Sequence, residues 1–165
     1  MTTNGESSHT VPLYIDGKEF VAKNSFPVVS PSTGKTLWQA SSASAKDAII
    51  AIEAAEKAFP SWSKTKPGFR RDIFLKAAVL VEQREKECLG YMMEETGAVE
   101  AFSKFNTSVT TEMFKDVAGR IEEALHGEIP VCQDENTHAM LVKEPYGVVL
   151  GISPWCEHLY CPLQT

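Results

Sequence analysis

The sequence has too little positive charge to grip a phosphate backbone. Its 16 Lys and Arg stand against 22 Asp and Glu, a net charge of −6, and general nucleic-acid binding rests on the opposite balance. No stretch approaches the roughly 18 consecutive apolar residues that a membrane span needs. The opening MTTNGESSHT carries no Lys or Arg and no apolar run, so it reads as neither a secretory signal nor a mitochondrial presequence. A cytoplasmic protein with no nucleic-acid or membrane partner is expected, its 4 cysteines reduced. No internal repeat or low-complexity segment is present. What remains is ordinary globular composition, 43% hydrophobic and 23% charged over 165 residues. That length fits one domain, able to bury about 70% of the surface its unfolded chain exposes.

Residues 1–12 read as a disordered tail, because the first ten hold almost nothing to bury. Leu13-Tyr14-Ile15 and Glu19-Phe20-Val21 flank Asp16-Gly17, a strong hairpin signal. A second strand pair is expected around Pro31-Ser32-Thr33-Gly34. Helices follow. Ser44 with Asp47 forms a capping-box-like start, and Ala48, Ile52, Ala55 and Phe59 recur at helical spacing until Pro60 ends the run. Pro67 opens a second helix with the stripe Ile73, Ala77, Leu80, Val81. A third carries Leu89, Met92 and Met93 and stops near Gly97. The fourth runs from about Val99 to Leu125, with Val109, Met113, Val117, Ile121 and Leu125 spaced by four. Past Pro130 the pattern predicts strands at His138–Val142 and Gly147–Ile152. The latter is apolar on both faces, as in a strand buried within a parallel sheet.

Several motifs dissolve when weighed. Gly34-Lys35-Thr36 ends like a phosphate-binding loop, but Val29 stands where that loop needs a glycine, so a turn is expected. Cys156, His158 and Cys161 cluster, yet no paired second knuckle supplies the fourth ligand of a zinc site, so no metal is expected. Cys88 and Cys132 read as small hydrophobes. Asn106-Thr107-Ser108 matches a glycosylation acceptor but has no route to the machinery. Glu94-Glu95 and Glu122-Glu123 read as solvated faces. Composition and spacing alone reach a soluble protein of mixed α and β structure.

The order of its motifs goes further. The carriers are Tyr14-Ile15-Asp16-Gly17-Lys18-Glu19-Phe20, Ser30-Pro31-Ser32-Thr33-Gly34-Lys35, and Ala48 to Phe59 with Trp62. Arg70-Arg71 then precede Leu75-Lys76-Ala77-Ala78, followed by Glu95-Thr96-Gly97 and Gly127-Glu128-Ile129-Pro130. Last comes Glu144-Pro145-Tyr146-Gly147-Val148-Val149-Leu150-Gly151-Ile152-Ser153-Pro154-Trp155. In this order they resemble the N-terminal part of the NAD(P)-dependent aldehyde dehydrogenases over residues 13–155. The segment at Phe105-Asn106 and the last motif look most like the branch acting on aromatic aldehydes such as salicylaldehyde or vanillin.

The resemblance implies an α/β fold: β-hairpin segments, a helical layer and the first strand of the cofactor-domain sheet. It implies that 13–37 and 125–145 include part of the family's oligomerisation region and that 44–124 pack on the cofactor domain. Residues 147–153 would form the sheet strand. Ile152, Ser153, Pro154 and Trp155 would line the NAD or NADP site. The family's chemistry needs a cysteine nucleophile, a glutamate base and an oxyanion hole whose Asn follows Pro-Trp. Here Cys156 stands in that Asn's place, and residues 156–165 diverge from the family, as a frame change or retained intron would make them. The resemblance places the nucleophile and base beyond these residues. The expectation is therefore a truncated chain, catalytically incompetent, holding no cofactor tightly. The alternative is a non-catalytic module that joins a full-length homologue through its β-segments.

Overall fold

Asp16 and Gly17 both adopt positive φ, 53° and 71°, the backbone of a two-residue turn whose twist matches a hairpin. The computed structural model describes residues 9–153, and in it this turn joins β2 (Leu13–Ile15) to β3 (Lys18–Phe20). The register pairs Leu13 with Phe20 and Ile15 with Lys18. β4 (Asn24–Val29) and β5 (Thr36–Ser42) pair antiparallel about the second turn, with Val28 opposite Trp38. Gly34 at φ 68° donates its N–H to the Ser30 carbonyl at 2.8 Å, and the Ser30 N–H reaches Lys35 O at 2.9 Å. Gly34-Lys35-Thr36 is thus a tight turn between strands. Pro27, which has no N–H to give, sits on β4, an edge strand.

Ordered structure starts earlier than the sequence suggests. Thr10–Val11, expected in the tail, form β1 and pair parallel with Gln39 and Ala40 of β5. Two residues suffice because β5 has a free edge whose backbone groups need partners. Residues 1–8 lie outside the described structure.

α1 (Ala45–Trp62) starts on a complete capping box: Asp47 N–H donates to Ser44 Oγ, and Ser44 N–H donates to Asp47 Oδ2 at 2.7 Å. Pro60 does not end it. The helix continues to Trp62 and closes with Ser63 N–H on Phe59 O at 2.8 Å, so the missing proline donor is absorbed in the last turn. α2 (Pro67–Gln83) has its proline at the first position, where no donor is needed. α3 (Glu85–Thr96) stops at Gly97, left-handed at φ 70°. α4 (Glu100–Ala124) is the longest element, and α2 and α3 pack against it. No helix among the described residues is long and apolar enough to cross a membrane.

The helical core is small: Ala78, Met92 and Ala118 are buried, and the Phe74 and Phe114 rings meet at 6.0 Å. α4 differs from its sequence reading. Its buried face is Ser103, Asn106, Thr107, Thr110 and Thr111, while the Val109–Leu125 stripe is half-buried or exposed. Three of the hydroxyls bond back one turn and so bury at little cost: Ser103 Oγ to Val99 O at 3.3 Å, Thr107 Oγ1 to Ser103 O at 3.0 Å and Thr110 Oγ1 to Asn106 O at 2.8 Å. Small side chains then let α2 approach closely at Ala78.

The α/β class stands, but the two late strands need correction. Of 138–142 only Leu141 pairs, in an isolated bridge with Glu128. Gly147–Ile152 forms no ladder, so the first strand of a cofactor-domain sheet is not formed here. A strand exists through its partner's hydrogen bonds, and among the described residues none runs beside this segment.

Candidate functional site

The candidate site residues fall at the end of the described structure. Ile152 is 82% exposed and Ser153 is exposed beside it. Pro154, Trp155 and Cys156, with His158 and Cys161, lie outside the described residues. Val149 and Leu150, just before, also face solvent. A bound dinucleotide needs a cleft that encloses most of its surface. Ile152 and Ser153 provide one open flank, so these two residues alone do not fit it.

Several residues that carry the family resemblance do structural work. Arg70 reaches back over the α1–α2 corner: its guanidinium stacks 5.4 Å from the Trp62 ring centroid. Its Nη2 donates to Trp62 O at 2.9 Å and Ser63 O at 3.1 Å, and its Nε to Thr65 Oγ1 at 2.8 Å. Gly97 abuts the turn between β4 and β5, where an added Cβ would meet Pro31 Cγ and Ser32 Oγ at 3.1 Å. Gly127 passes the Leu141 carbonyl so closely that an added Cβ would lie 2.4 Å from its oxygen. That approach permits the pair of bonds between Glu128 and Leu141, 3.1 and 2.8 Å.

The remaining reactive groups are unremarkable chemically. Cys88 is half-buried, and burial pushes its thiol above the ordinary value, away from the thiolate that a nucleophile requires. Cys132 is half-buried beside the Pro130 carbonyl. Glu94, Glu122 and Glu123 are exposed, with Glu122 3.7 Å from Arg71. Asn106, the nominal glycosylation acceptor, is 1% exposed and donates Nδ2 to Phe102 O.

The sequence did not signal one surface feature. Phe105, Val109 and Met113 lie away from the buried hydroxyl face of α4 and line an open groove of about 330 Å³ with Ser108, Glu112 and Asp116. The four-residue spacing marked Val109 and Met113 only as part of an apolar stripe, and nothing in the spacing could tell core from groove. Being open, the groove would bury only one side of a small molecule.

Residues 19–163 match the sequence pattern of the aldehyde dehydrogenase family. The chain is 37% identical over 147 residues to vanillin dehydrogenase of Pseudomonas sp. (strain HR199 / DSM 7063), covering 88% of this chain and 30% of that one. It thus spans about 30% of the length of the curated relatives it matches. Its fold superposes on a salicylaldehyde dehydrogenase from Pseudomonas putida G7, complexed with salicylaldehyde. The TM-score is 0.77 at 25% identity, over 82% of this chain and 28% of that one. A NAD-dependent benzaldehyde dehydrogenase from Corynebacterium glutamicum shares the fold at TM-score 0.71 and 22% identity, over 78% and 28% of the two chains.

Proposed function

Because this chain belongs to the aldehyde dehydrogenase family, we propose that it is the N-terminal part of an oxidoreductase that converts an aromatic aldehyde to its carboxylic acid with NAD or NADP. The observation that carries the reading is the 37% identity to a vanillin dehydrogenase across 147 residues. Residues 13–155 form the N-terminal cofactor and oligomerisation region in this proposal, in a cytoplasmic protein. Ile152, Ser153, Pro154 and Trp155 contribute one wall of the coenzyme site.

Residues 1–165 by themselves do not turn over in this reading. Nucleophile, base and orienting group must lie within hydrogen-bond reach of one another, and burial pushes the Cys88 thiol up, away from the thiolate form. One wall of a coenzyme site supports binding no better than millimolar, about −4 kcal/mol. The test is the purified chain with vanillin or salicylaldehyde and either coenzyme, followed by reduced-coenzyme absorbance. No aldehyde-dependent signal is expected, and a signal abolished by Cys156→Ser would overturn incompetence. The aromatic assignment is tested separately by replacing the matching segment of vanillin dehydrogenase with residues 13–155. A folded chimera that prefers vanillin to an aliphatic aldehyde supports it; one that prefers the aliphatic aldehyde refutes it.

A second reading is a non-catalytic module that joins a full-length homologue through its β-segments. The exposure of Ile129, Val131, Met140 and Val142 favours it. Co-purification with an intact dehydrogenase, lost when these four become Thr, is its signature.

A further inference from the structure

We draw no further inference here: the strongest candidate, the cleft between α2 and α4 edged by Glu82, Glu85 and Glu112, is an acidic cluster in which the Lys115 ammonium already pairs with Glu82 and Glu112, and nothing in the structure points to a ligand there.

Discussion

Arg70 holds Trp62 twice, by its ring at 5.4 Å and by its carbonyl at 2.9 Å. The carbonyl belongs to the last turn of α1, past the intrahelical ladder, and Thr65 also donates to it through its N–H at 3.0 Å and its hydroxyl at 2.6 Å. Arg70 therefore caps one helix from the first turn of the next and fixes the corner between them. Arg70→Ala removes charged hydrogen bonds and a cation–π contact, together about 1–3 kcal/mol. Amide exchange across 63–69 should accelerate roughly tenfold or more. Arg70→Lys should not restore it, because an ammonium lacks the planar fork. Unchanged exchange in the Ala variant would show that the corner holds itself.

Gly127 and Gly119 make opposite predictions for the same substitution. A methyl at Gly127 collides with Leu141 O, whereas one at Gly119, inside α4, meets nothing within 4 Å. Gly127→Ala should expose the Glu128 and Leu141 amides to exchange. Gly119→Ala should stabilise α4 by about 0.4–1 kcal/mol, through a less flexible unfolded chain. Equal effects would mean the close approach at Leu141 is not what Gly127 serves.

The Asp47 carboxyl is held below its ordinary value of 3.8, first by the Ser44 backbone N–H and then by the Ser44 side chain. A depressed folded-state value means the box contributes in full above about pH 3.8 and is lost as pH falls through the folded value. Amide protection at the start of α1 should fall in that acid window; Ser44→Ala, which keeps the backbone donor, should weaken the dependence, and Asp47→Ala should abolish it. An Asp47 carboxyl titrating by NMR at 3.8 or higher would sink the assignment.

Val149, Leu150 and Ile152 leave large apolar surfaces in water. Each such side chain forgoes about 1.5–3 kcal/mol of burial, against a net domain stability of roughly 5–15 kcal/mol. The isolated chain should be insoluble or dependent on a partner. Changing Val149 and Leu150 to Thr should raise its soluble yield. A concentrated monomer with a sharp thermal transition before any change would contradict this.

Local chemistry made most of the fold legible. Asp16-Gly17, Ser44 with Asp47, Pro67 and Gly97 each dictate a turn or helix end from a few adjacent residues. Failures came where a remote partner decides. Thr10–Val11 is a strand only because β5 has an edge to fill, and Gly147–Ile152 is not one because, among the described residues, no partner lies beside it. Val109 and Met113 carry the right spacing for a core, but the face that α2 covers is the hydroxyl face. The candidate site was legible only as resemblance: Ile152 and Ser153 have no chemistry of their own to announce a coenzyme.

The α4 interface acts as a spacer between helices. The hydroxyls of Ser103, Thr107 and Thr110 are satisfied within their own helix, so what the neighbour senses is side-chain bulk. Exchanges among Ser, Thr and Ala at 103, 107 and 110 should leave the α2–α4 separation almost unaltered, while a single Leu there would push the pair apart. A hydropathy profile would score the first kind of change as large and the second as favourable, the reverse of what the helix pair would feel.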